Sequence, residues 1–142
     1  MTPVYQTKEG APEGNCMAAC VASLLDKRIE DVHIDVASCG SLKDLLRKLE
    51  EKAKCKIYGF PHEAIVDGVV KSTERHCIVE VCSSVFNNDP CHSNSTWHSV
   101  VGEIGEDGKL SLEFNPDRND RRTRSLQEFG AMRNLFIVKR NP

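Results

Sequence analysis

The hydrophobic pattern divides the chain into a helical front and a strand-rich back. From Gly14 to Leu25 the stretch "GNCMAACVASLL" carries no charged residue. Asn15 suits an N-cap, and a helix is predicted from about Cys16 to Lys27. With no polar face, this helix must be buried on most sides. "IEDV" at 29–32 fits a short helical turn. In "SLKDLLRKLEEKA", which begins at Ser41, leucines at 42, 45, 46 and 49 keep helical spacing. Lys43, Arg47, Lys48 and Glu51 form its wet face, and Ser41 and Asp44 suit its cap.

Beyond residue 55 the texture changes. "KIYGF" (56–60) reads as a short strand, and 61–75 carries no clear period. "HCIVEVC" (76–82), "WHSVVGEI" (97–104), "KLSLEF" (109–114) and "NLFIVKR" (134–140) have strand composition. "EDGK" at 106–109 predicts a hairpin with Asp107–Gly108 at its centre. "SLQE" at 125–128 is a capping box for a short helix. Helices followed by an antiparallel sheet predict an α+β fold with the helices packed on the sheet. A chain of 142 residues suits one domain over 1–142. No repeat or low-complexity segment interrupts it.

Composition narrows the classes. A formal charge of -2 gives no global field for nucleic acid or an acidic membrane. No apolar run approaches the ~20 residues of a membrane span. "MTPVYQTKEG" has neither the basic n-region nor the apolar h-region of a secretory signal, so a cytoplasmic location is expected. The seven cysteines should then be mostly free thiols. Cys39, Cys55, Cys77 and Cys82 are expected as small buried hydrophobes. "NST" at 94–96 matches the glycosylation acceptor pattern, which is discounted without a secretory signal.

Cys16 is different. If Asn15 caps the helix, Cys16 holds the first helical position, where unpaired N–H groups and the positive dipole end favour thiolate. Cys20 lies one turn deeper on the same face and should stay protonated in the core. Two cysteines in a plain core helix would look the same from this stretch alone.

A nucleophilic thiol needs a base, and the base an orienter. His98 begins the strand that leads into the Asp107–Gly108 turn. With a two-residue turn, 106 pairs with 109, His98 faces Asp117 and Asn115 faces Val100. Asn115 is then diagonal to His98 on one sheet face. His76 starts a strand without such a partner, His92 lies in a loop, and His33 and His62 are in turn-like, solvated contexts.

These residues, "QT…EGNCMAACVASLL", then "HSVVG", then "FNPD", together resemble the papain-like cysteine peptidase fold. Within it they resemble small bacterial and phage papain-like proteins related to the bacteriocin-leader peptidases. The likeness covers about 40 residues in three patches. It implies a single papain-like domain whose Cys-bearing central helix packs on a C-terminal antiparallel sheet. It implies Cys16 as nucleophile, His98 as base and then acid, Asn115 as orienter, and Gln6 as an oxyanion donor beside the Cys16 N–H. It also implies the cytoplasm of a bacterial cell, with a phage as a second source of the chain. Two departures stand out. Met17-Ala18 follows the Cys where relatives often have glycine or an aromatic, and Asn115 stands where they often have aspartate. Asp117 is therefore kept as an alternative orienter.

The reading is a hydrolase of amide, peptide or isopeptide bonds with a peptide or protein substrate. It needs no cofactor, and involves neither nucleic acid nor membrane. The alternatives are a catalytically silent papain-like binding or inhibitor module acting on a host or defence protein, an acyltransferase, and a zinc site. Cys77, Cys82, Cys91 and His92 give a loose C-x4-C-x8-C-H series, and Cys16/Cys20 a C-x3-C pair; neither has structural-zinc spacing. The insertion "SSVFNNDPCHSNST" before Trp97 is either a site-lining loop or a plain connector. "DRNDRRTR" (117–124) either holds an anion or forms a solvated, self-paired loop, the second being expected. Substrate identity and oligomeric state are left open.

Overall fold

A computed structural model describes residues 1–7, 15–35, 38–61, 74–82 and 97–142. Its fold is α+β, with two α-helices and a five-stranded antiparallel sheet. Helix α1 spans Cys16–Leu25 and α2 spans Leu42–Ala53. The strands are β1 (Cys55–Pro61), β2 (His76–Cys82), β3 (Trp97–Ile104), β4 (Leu110–Phe114) and β5 (Met132–Arg140), arranged β1-β5-β2-β3-β4. Short 3-10 turns at Ile29–Asp31 and Leu126–Phe129 fall where the sequence predicts them. The second carries the expected Ser125/Glu128 capping box. No helix among the described residues is long and apolar enough to cross a membrane.

Local chemistry sets the helix ends. Ser41 accepts from the Asp44 N–H at 3.1 Å and caps α2. Helix α1 stops at Leu25 rather than Lys27, because Asp26 turns left-handed (φ 54) and its N–H closes on Ala22 and Ser23. Asn15 holds the N-cap position, but its side chain does not cap the helix. Instead its Oδ1 accepts the Thr7 N–H at 3.0 Å, and its Nδ2 donates to Thr7 Oγ1 at 2.9 Å and meets His33 Nδ1 at 3.2 Å. His33, expected in solvent, is thus a half-buried partner of the residue before Cys16.

The central strand β2 is covered on both faces, which explains its nearly unbroken apolar run. Ile78, Val101, Phe136 and Val138 cluster with α1 and α2. Cys77, Val79, Val81, Val100, Leu135 and Ile137 cluster with Leu126 and Phe129. Helix α1 lies across the sheet, with seven of its ten residues in the core.

The β3–β4 hairpin differs from its predicted geometry in two compensating ways. Glu106, Asp107 and Gly108 all lie in the turn, closed by Gly105 N–H to Lys109 O at 2.8 Å, with Gly108 at φ 80. This puts Ile104 opposite Leu110, one residue from the expected register. A bulge then makes Glu113 the extra residue, so Val101 faces Phe114 as predicted. The expected neighbourhood of Asn115 and Val100 is restored where it matters for the site.

The cysteines divide unevenly. Cys16, Cys20, Cys39, Cys55 and Cys77 are free thiols. Cys20, Cys55 and Cys77 are buried as expected, but Cys39 is half-buried. Cys82 is buried and disulfide-bonded, contrary to the expectation of a free thiol. The insertion at 83–96, with Cys91, His92 and the "NST" pattern, lies outside the described residues, as does His62.

Candidate active site

Three elements converge at the N-terminus of α1. Cys16 opens that helix, His98 is the second residue of β3, and Asn115 follows the end of β4. His98 and Asn115 are buried, at 8% and 6% exposure, while Cys16 is half-buried. His98 Nε2 lies 2.8 Å from Asn115 Oδ1, and the imidazole also hydrogen-bonds the Cys16 thiol.

The amide of Asn115 is fixed by two further bonds. Its Oδ1 accepts the Asp117 N–H at 3.0 Å, and its Nδ2 donates to Arg122 O at 3.1 Å. Oδ1 is therefore the atom that faces His98, and an amide oxygen only accepts. Nε2 must carry the proton, which leaves Nδ1 for the thiol.

Opposing forces set the charges. Burial works hardest against an ionised Cys16, but the hydrogen bond and charge of His98, with the Ser99 backbone N–H and hydroxyl, carry the thiol below its ordinary 9.0. Burial likewise opposes a charged His98. Cys16, then Asn115 and the carboxylate of Asp120, raise it above its ordinary 6.5. Both shifts run in the direction of a thiolate–imidazolium pair. Cys20, fully enclosed one turn deeper, is pushed well above the ordinary thiol value by burial and then by the neighbouring thiols Cys16 and Cys77. The expected contrast between the two cysteines is thus present in the fold.

Gln6 is brought to the same place through the backbone. Its N–H donates to Pro116 O at 3.0 Å, next to Asn115, and the following Thr7 is clasped by Asn15, next to Cys16. Val4 is held on Ser23 at 2.9 Å, so the N-terminal segment lies along α1. Asp117 takes a different part. Its carboxylate accepts the Asn119 N–H at 2.9 Å, and its own N–H braces Asn115.

Behind His98 and Asn115 lies part of the 117–124 segment, expected as a solvated, self-paired loop. The Arg122 guanidinium grips Asp120 with Nε–Oδ1 at 2.9 Å and Nη2–Oδ2 at 2.8 Å, donates to Cys82 O at 3.1 Å, and stacks on Phe129. Both side chains are well buried, at 15% and 7% exposure. The segment is self-paired as expected, and Arg118, Asn119, Arg121, Thr123 and Arg124 are exposed, but the Asp120 and Arg122 side chains fold inward. Asp120 also hydrogen-bonds Asn115. The i,i+2 placement of Asp120 and Arg122 just after "NP" was the available signal.

Elsewhere, His76, Glu103 and Glu113 bring three metal-type ligand atoms within 4.8 Å of one another. Arg75 pairs with Glu103 at 3.2 Å, and His76 Nε2 lies 3.8 Å from Glu113 Oε1. Comparison with protein-family models and with curated proteins gave no match.

Proposed function

We propose that this protein is a cysteine-dependent hydrolase of amide or peptide bonds, isopeptides included, built as a small papain-like domain. One observation carries the reading: the buried imidazole of His98 joins the Cys16 thiol on one side to Asn115 Oδ1, 2.8 Å away, on the other. The Cys16 patch lies far along the chain from the β3–β4 hairpin that carries the other two, and they meet at this ring.

The chemistry follows from the proton positions. The Cys16 thiolate attacks the carbonyl carbon, forming the S–C bond while the carbonyl electron pair moves onto oxygen. The Cys16 N–H and the Gln6 side chain donate to that oxyanion. The pair then returns, the C–N bond breaks, and His98 delivers its Nδ1 proton to the leaving amine. Water attacks the thioester and gives a proton back to His98, and the thiolate is released with the acid product. An amine in place of water would give acyl transfer by the same groups.

The test uses p-nitrophenyl acetate, an activated ester that needs no recognition. A burst of about one nitrophenol per chain is expected, with the acetyl group on Cys16 by peptide mapping and no burst in Cys16→Ala. A folded chain whose Cys16 is neither acylated nor alkylated would sink the hydrolase and leave the binding module as the reading.

A further inference from the structure

Next to the triad lies a charged assembly that the mechanism leaves unused. Glu80 sits in the middle of β2 and is buried at 7% exposure. A carboxylate there needs compensation. Arg133 Nε donates to its Oε1 at 2.7 Å, and Asn134 Nδ2 to the same oxygen at 2.9 Å. The β2–β5 pairing breaks between Val79 and Val81, which puts both donors opposite Glu80. The Arg133 guanidinium lies over the ring of Trp97, 4.5 Å from its centroid. The head group is pinned at one nitrogen and stacked on one face.

Its place relative to the nucleophile follows from the register. Glu80 pairs directly with Ser99, whose backbone N–H contacts the Cys16 sulfur. Ser99 Oγ also reaches Met17 Sδ at 3.6 Å. Trp97, under Arg133, is the residue before His98. Glu80 satisfies only the inner edge of the guanidinium. Among the described residues neither terminal nitrogen of Arg133 donates a hydrogen bond, and the side chain is 40% exposed. A terminal fork of this kind matches a carboxylate bidentately, and its immobilisation lowers the entropy lost on binding.

We infer that Arg133 is a specificity-determining residue of the Cys16 site and binds a carboxylate of the substrate close to the bond that is cleaved. The substrate class is a peptide with an acidic group beside the scissile amide, either an acidic side chain or a free C-terminal carboxylate. Glu80 and Trp97 are positioning residues that hold the fork. This inference rests on the hydrolase reading of Cys16.

The test is affinity alkylation of Cys16, in which thiolate forms an S–C bond and bromide leaves. Four probes are used: bromoacetyl-glycine and bromoacetyl-glutamate amide, each with its neutral control, bromoacetyl-glycinamide and bromoacetyl-glutamine amide. The acid-to-neutral rate ratio is measured in wild type, Arg133→Gln and Arg133→Lys. Taking the ratio within each variant cancels changes in thiol reactivity or fold. The attraction of the His98 imidazolium for anions is common to all three proteins.

A wild-type ratio that falls roughly 10-fold in Arg133→Gln, and is partly kept in Arg133→Lys, is expected. The glycine pair and the glutamate pair show which carboxylate is read. A reactive Cys16 whose ratios ignore Arg133 overturns the carboxylate subsite and leaves the hydrolase standing. A Cys16 inert to all four probes overturns both.

Discussion

His98 Nε2 and Asn115 Oδ1 are 2.8 Å apart, and the amide has no freedom to turn, because Asp117 and Arg122 hold its two ends. The asparagine therefore fixes the tautomer of the imidazole as well as its position. On the proposed mechanism, Asn115 acts on Cys16 only through the imidazole.

Asn115→Ala should remove that control while leaving Cys16 and His98 in place. A hydrogen bond to a group that becomes charged is worth about 1.5–3 kcal/mol, so Cys16 acylation should slow by roughly 10- to 100-fold at neutral pH. The nitrophenol burst rate measures it. An unchanged rate would mean that His98 is oriented by something else.

The pH dependence has a definite sign. Burial opposes both charges, yet Cys16 is lowered from 9.0 and His98 raised from 6.5, because each stabilises the other. Both shifts act in the direction that favours a thiolate–imidazolium pair over the neutral pair. Alkylation of Cys16 by iodoacetamide should rise with pH earlier than an ordinary thiol. In His98→Ala burial is opposed by Ser99 alone, and the rise should move to higher pH. Peptide mapping at limiting reagent reads each cysteine. The pairing is wrong if the two profiles coincide.

The two cysteines of α1 should part company in stability as well. Cys20 has 0% exposure within the packed cluster. Cys20→Ser buries a hydroxyl in its place and should cost about 1–3 kcal/mol. Cys16→Ala, at the half-buried helix start, should change stability by less than about 1 kcal/mol while abolishing acylation. Urea midpoints of the two variants decide it, and equal losses would remove the distinction.

Asp120 gives a prediction on the base alone. Its carboxylate, held low against the cost of burial by Arg122, is one of the charges that raise His98. Asp120→Asn keeps the shape and removes the charge, so the His98 titration followed by its ring-proton NMR signal should move to lower pH. No movement would show that Asp120 is a structural partner of Arg122 and nothing more.

Much of the fold was legible because composition and burial agreed. The uncharged run after Asn15 could only be a buried helix, and strands such as "HCIVEVC" and "WHSVVGEI" declared themselves by β-branched content. The diagonal between His98 and Asn115 was reached through a turn one residue too short and survives because the Glu113 bulge restores the register. Neither feature leaves a clear mark in sequence, since Asp-Gly serves both turn lengths. Asp120 and Arg122 were hidden by alternating charge, which looks the same whether a loop faces water or folds inward. Glu80 leaves a readable mark in sequence. A lone carboxylate inside an apolar strand demands a cation, and Arg133 supplies it from a strand about 50 residues away.

On the proposed mechanism, Gln6 separates binding of the oxyanion from reactivity of the thiol. Its segment is pinned on both sides of the site, by Pro116 and through Thr7 by Asn15. Direct displacement of iodide from iodoacetamide develops no carbonyl oxyanion, whereas acylation by p-nitrophenyl acetate does. Gln6→Ala should therefore slow acylation by roughly 10²-fold and leave the alkylation rate of Cys16 within about a factor of 2, since oxyanion donors act only where that charge develops. Equal effects on both reactions would assign Gln6 to holding the N-terminal segment, and equal indifference would place the second donor elsewhere.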